Sequence, residues 1–274
     1  MNYQPSLPDH NVNVSHDHPI REFFLLVSGV VVVLVLVFWL LGLLVDYAVE
    51  FIPPEQEAEL FANLNFDWTS TQDSEPDTDS EQEASLQGLL DSLQTCLDLP
   101  YPITVTLVKS EQVNAVAIPG GNVLVFSGLL ESVSSQNGLA FVLAHELGHF
   151  VNRDHLRGMG RGILLAALST VIFGANSDIS QMLASASGVQ VAQYSQERES
   201  LADRTALHVL SCHYGHVGGA AELFVALQEL EEALDFGLLH YFATHPELQT
   251  RIDDLQRLSE ELGFTVGETK ELLK

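Results

Sequence analysis

Chemistry-bearing residues concentrate in one apolar stretch of this 274-residue chain, Leu139 to Phe150, which contains His145-Glu146-Leu147-Gly148-His149. The stretch reads as a helix, and on a helix residues four apart stand one above the other. His145 and His149 can therefore close on a single zinc ion, with Glu146 beside them. Zinc lowers the pKa of a water it carries to about 7. A neighbouring carboxylate can take the proton of that water as it attacks a peptide carbonyl. The chemistry in view is metal-assisted peptide hydrolysis. A chance pairing of two helical histidines with a surface glutamate is the competing reading, and the apolar surroundings weigh against it.

A catalytic zinc needs a third protein ligand and an open position. Two residues compete. His155 stands where an H-E-x-x-H-x-x-G-x-x-H pattern places a third histidine, although Asn152 replaces the glycine. Asn tolerates the left-handed turn expected there. That metzincin arrangement also calls for a downstream Met-turn, and neither Met159 nor Met182 lies in convincing turn chemistry. The other residue is Glu199, in the run Tyr194 to Arg204, with Asp203 four residues further along the same helical face. One of these carboxylates can bind metal while the other fixes a histidine ring.

Four blocks in order carry a family resemblance: Asn114 to Leu130, His145 to His149, Glu197 to Asp203, and Thr244 to Ile252. Together they resemble metallopeptidase family forty-eight, the HtpX and CAAX prenyl endopeptidase type, over roughly residues 86–262. The resemblance implies a gluzincin fold with one zinc held by His145, His149 and Glu199. It also implies Glu146 as catalytic base and Asp203 as support for the site, with His155 left at the helix end. His245, in the Thr244-His245-Pro246 block, would stabilise the developing oxyanion or sit on zinc at rest; capping of the next helix is the plainer role. Arg251 would orient that loop or bind a substrate carboxylate. Several family members have multiple membrane spans, whereas this chain shows one.

The elements that must position these residues are legible from periodicity. Leu86, Leu89, Leu90, Leu93 and Leu97 keep helical spacing. Ile103–Lys109, Val113–Pro119 and Asn122–Ser127 read as strands, the last two joined by a Pro119-Gly120-Gly121 turn. Beyond Ser127 the pattern is helical. The fold class is α+β, a small sheet followed by helices. Asn122–Ser127 is expected to be an edge on which an extended peptide adds as a strand. Ile163–Phe173 is apolar but short, and reads as a core helix. The spacing of His208, His213 and His216 suits no single metal, and Cys96 and Cys212 would pair only outside the cytoplasm.

Phe23–Val45 runs 23 residues without a charge. At 1.5 Å per residue it covers about 34 Å, enough for a bilayer core of about 30 Å. It is longer than a signal-peptide core and lacks the polar face of a buried helix, so it reads as an uncleaved anchor. Arg21 is the only Lys or Arg before it, which places the N-terminal tail in the cytoplasm and the remainder across the membrane. The expected organisation is a tail (1–22), an anchor (23–45), an acidic linker (46–85) and a catalytic domain (86–274). The setting expected is a bacterial inner membrane with the domain in the periplasm.

Charge follows the same division. The chain carries a net charge of −26, and residues 22–108 contain 15 Asp and Glu with no Lys or Arg. Thr69–Ser85 reads as a solvated tether. With 11 Lys and Arg in all, no basic face for nucleic acid can be built. The reading that accounts for these features is a membrane-anchored zinc endopeptidase acting on unfolded or misassembled proteins. A proteolytically silent, chaperone-like zinc module is the alternative, and it leaves the presence of Glu146 without a reason.

Overall fold

Alternation of buried and exposed residues along Thr104–Lys109 makes it a strand with one face on the core. The structure, a computed structural model, describes residues 19–53, 57, 75–76, 80–162, 174, 195–232 and 248–272. His245, Ile163–Phe173 and most of the expected linker lie outside the described residues. Two units are distinguished, residues 1–44 and 45–274.

The first unit contains most of helix α1 (Pro19–Val49), 31 residues whose apolar side chains from Ile20 to Leu44 are largely exposed. It is long and apolar enough to cross a membrane. The residues of α1 from Val45 onward belong to the second unit.

In the second unit, a four-stranded sheet is built from β1 (Glu75–Pro76), β2 (Thr104–Lys109), β3 (Ala115–Ile118) and β4 (Asn122–Phe126) in the order β1-β2-β4-β3. The β3–β4 hairpin is antiparallel, with Ala117 opposite Val123, and turns at Gly120 and Gly121. Both glycines have positive φ, 95° and 82°, the backbone region that favours residues without a Cβ. β2 and β4 run parallel. The strand expected at the edge is therefore internal. Its central residues, Val123, Leu124 and Val125, are all buried, as a strand covered on both faces requires. Among the described residues β3 lies at one end of the sheet, with its Ala115 and Ala117 N–H groups taken by the Asn114 and Glu146 side chains.

Among the described residues β2 meets β1 at Val108 and Lys109, and its earlier main-chain groups have other partners. Helix α2 (Ser80–Gln94) supplies the partners from its side chains. Glu83 accepts from the Leu107 N–H (2.9 Å), Gln87 from Val105 (2.8 Å) and Gln94 from Ile103 (2.8 Å). Side-chain cover of this kind protects an exposed strand edge. Leu86, Leu90 and Leu93 of the same helix enter the core. The expected domain boundary at residue 86 falls inside α2.

Among the described residues the unit has four further long helices, α4 (Gln136–Val151), α5 (Gln196–Tyr214), α6 (Glu222–Glu232) and α7 (Leu248–Glu261), with the short α3 (Ser127–Ser132) leading from the sheet into α4. α4 is buried from Asn137 to Phe150 and is the central element. A disulfide joins Cys96, just past α2, to Cys212 in α5, with Cα atoms 6.1 Å apart.

Gly148 sets the approach of α4 to α5. A Cβ there would lie 2.9 Å from Ala202 Cα and 3.1 Å from its carbonyl oxygen, backbone atoms that cannot turn aside. Gly148→Ala is expected to cost about 1–3 kcal/mol through overpacking. Thermal unfolding should detect a fall of several degrees. An unchanged midpoint would mean that the helices have room to separate.

Candidate metal centre

Helical spacing in α4 brings His145 and His149 to one face, with their Nε2 atoms 3.1 Å apart and both side chains buried. Glu199 enters from the first turn of α5. Its two oxygens stand 3.5 Å from the two Nε2 atoms, Oε2 toward His145 and Oε1 toward His149. Zinc bonds of about 2.0–2.2 Å in a tetrahedral arrangement put neighbouring donors about 3.3–3.6 Å apart. The three spacings fit that geometry to within a few tenths of an ångström. The donor set, two imidazoles and a carboxylate, is one that zinc accepts, and these residues form a group able to hold a metal.

Behind the three donors stands a shell of buried partners. Asp203 Oδ1 lies 2.9 Å from His145 Nδ1 and Asp154 Oδ2 lies 3.1 Å from His149 Nδ1. These carboxylates favour the tautomers that leave both Nε2 lone pairs facing the metal position. Asp154 in turn takes a hydrogen bond from Arg198 at 2.6 Å. Arg251 of α7 bridges the two carboxylates of α5: Nη1 lies 2.8 Å from Glu199 Oε2, and Nη2 donates to Asp203 Oδ1 at 2.5 Å. Its guanidinium stacks 4.5 Å over the Phe224 ring and is 5% exposed, so it faces inward onto Glu199 and Asp203. Glu146, also buried, points to the outer strand β3, where its Oε2 accepts the Ala117 N–H at 2.8 Å.

His155 lies elsewhere. Its Nε2 is 2.6 Å from Glu57 Oε1, and its Nδ1 is 3.3 Å from the His149 carbonyl oxygen. The turn after α4 also differs from expectation: Asn152 is right-handed (φ −84°), and Arg153 takes the positive φ of 56°. Asp154, Arg198 and Glu57 went unnoticed in the sequence. Asp154 offered one signal, an acid five residues past the second histidine at a helix end. Among the other histidines, His208 packs edge-on against Phe264 and His216 Nδ1 accepts from Gly218 N–H at 3.0 Å.

Electrostatics of the metal-free centre have a sign that can be tested. Burial works against charging His145, but the Asp203 and Glu199 carboxylates outweigh it and push its pKa up to about 9. His149 moves the same way, against burial, through Asp154 and Glu199. The shift favours a proton on His145 in the metal-free centre, which a metal must displace. Zinc affinity is expected to rise with pH toward about 9. Calorimetric titration at pH 7 in buffers of different ionisation heat should register proton release; heats independent of buffer would contradict this. In the metal-free protein, His145 contributes stability in full below about pH 6.5, lost as pH rises through about 9.

Residues 80–259 match the model of Peptidase family M48. Protease HtpX homolog 1 of Streptomyces coelicolor is 31% identical over 227 residues, covering 67% of this chain and 73% of that protein. Mitochondrial metalloendopeptidase OMA1 of Saccharomyces cerevisiae is 25% identical over 150 residues, 53% of this chain and 43% of that protein. The beta-barrel assembly-enhancing protease of Yersinia pestis is 32% identical over 120 residues, 40% of this chain but 25% of that protein. The chain thus spans less than half of the last two. The family match covers every described residue of the centre, and the chain belongs to peptidase family M48, a family of zinc-dependent metallopeptidases.

Proposed function

We propose that this protein is a membrane-anchored zinc endopeptidase that hydrolyses internal peptide bonds of unfolded or misassembled membrane and envelope proteins. The observation that carries the reading is the placement of Glu146, next to the His145, His149 and Glu199 donors and beside the outward main chain of an edge strand. In this account His145, His149 and Glu199 hold one zinc, which supplies a Lewis acid and lowers the pKa of water. Glu146 accepts the proton released as the peptide carbonyl is attacked and passes it to the leaving amine. Asp203 and Asp154 orient the two imidazoles, and Arg251 fixes Glu199. His245 is assigned the oxyanion-stabilising role, and its substitution is expected to lower kcat.

β3 replaces β4 as the strand that receives an extended peptide. Pairing of substrate N–H groups with the outward carbonyls of β3 would align a substrate with Glu146 whatever its side chains, which suits cleavage of unfolded chains. Anchoring is assigned to α1. Arg21 before the anchor and the Cys96–Cys212 disulfide both support a domain outside the cytoplasm, in the periplasm of a bacterial inner-membrane protein. The test uses the full-length protein in detergent micelles with zinc and a reduced, unfolded protein as substrate. Chelator-sensitive internal cuts are expected; an intact substrate in the presence of stoichiometric zinc would overturn the reading.

A further inference from the structure

Residues 46–57, at the end of α1 and beyond it, hold four Asp and Glu and no Lys or Arg, yet two residues of this stretch are buried in the domain. Val49 is 4% exposed and Glu57 is fully buried. A buried carboxylate needs compensation, and Glu57 has three partners: the Tyr101 hydroxyl (2.9 Å), His155 Nε2 (2.6 Å) and Arg153 Nη2 (3.2 Å). The other arm of Arg153 donates to the carbonyls of Val49 (2.9 Å) and Ile52 (2.7 Å), at the end of α1 and just beyond it. Arg153 is the non-glycine residue with positive φ among the described residues, so the chain takes up a costly backbone conformation where this side chain is aimed.

A second connection starts at Asp46, in the last turn of α1. Its Oδ1 is 3.6 Å from Arg198 Nη2, while Arg198 Nη1 bonds Asp154 and Asp154 bonds His149 Nδ1. Arg157 and Arg161 also pair with Asp46, at 4.0 and 2.5 Å. Four of the 11 basic residues of a chain with net charge −26 thus gather around the end of this helix. Both connections converge on His149, one through its imidazole and one through its carbonyl oxygen by way of His155.

We propose that Asp46, in the last turn of α1, and Glu57 beyond it are positioning residues of the metal centre. They hold His149 from behind through Asp46–Arg198–Asp154 and through Glu57–His155. The proposal rests on the zinc reading of the centre and adds to it. A fragment beginning at Ser80 would lack both connections.

The experiment measures zinc affinity by chelator competition in the full-length protein in micelles, alongside its thermal unfolding. Glu57→Gln and Asp46→Asn are each expected to weaken zinc binding about tenfold, the lower end for partners of metal ligands. Asp98→Asn, exposed beyond α2, is expected to leave it unchanged. Arg198→Ala and the Asp46→Asn/Arg198→Ala double variant should bind zinc alike, because Asp46 acts through Arg198. A merely structural role would lower the unfolding temperature and leave the affinity of the folded protein at the wild-type value. Wild-type affinity in both Glu57→Gln and Asp46→Asn overturns the proposal alone. Failure of the wild-type protein to bind zinc overturns the zinc reading as well.

Discussion

Glu146→Gln is expected to lower kcat for hydrolysis of an unfolded protein by about 10²–10⁴-fold, the range for loss of a positioned general base. Zinc content should stay at one per chain. The amide keeps the size of the carboxylate and retains an oxygen for the Ala117 N–H, so the local packing that buries Glu146 survives. What it loses is basicity, at the position between the metal donors and the edge strand. KM should change little, because peptide binding by strand pairing does not draw on the missing charge. A variant within a few fold of wild type in kcat would show that another group takes the proton. A variant depleted of zinc would show Glu146 to be a ligand.

Arg251→Met is expected to have the largest effect on stability. The side chain lies among Glu199, Asp203 and Phe224, and its removal leaves two buried carboxylates without their cation. Breaking a buried ionic group by deleting one partner costs about 3–5 kcal/mol. Zinc should offset part of this by neutralising Glu199, so the loss is predicted to be greater in chelator than in saturating zinc. Arg251→Lys should recover little, because a single ammonium cannot match a planar fork that reaches both carboxylates. Thermal unfolding with and without zinc reads both effects. Equal midpoints for wild type and Arg251→Met in chelator would remove Arg251 from the centre.

How much of this could be read beforehand depended on whether a signal was periodic. His145, Glu146 and His149 are local, and so is the Glu199/Asp203 pair; spacing of four on a helix is visible in any chain. That Glu199 would meet the two histidines required the packing of α4 on α5, which Gly148 and Ala202 permit and which leaves no periodic trace. The β3–β4 hairpin was announced by Pro119-Gly120-Gly121, whereas strand order was not. Val123–Val125, an unbroken buried run, is the clue that β4 is interior. Glu83, Gln87 and Gln94 form a helical stripe beside Leu86, Leu90 and Leu93, yet their use as partners for a strand edge follows from tertiary position alone. Glu57 was least visible: one acid among many in residues 46–79, separated by its burial and by partners about a hundred residues away.

His155 illustrates why spacing alone could not choose the third ligand. Three residues in α4 and its exit have the types a three-histidine centre needs, and only the direction of the chain after Val151 separates the possibilities. With Arg153 left-handed, the turn carries His155 to Glu57 and brings Asp154 to His149.

Zinc-edge X-ray absorption of the zinc-loaded full-length protein tests the central claim most directly, since it counts imidazoles without reference to activity. Two imidazoles with the remaining ligands oxygen, and loss of one oxygen contribution in Glu199→Ala, are the predicted result. Three imidazoles in the wild type, reduced to two in His155→Ala, would contradict it.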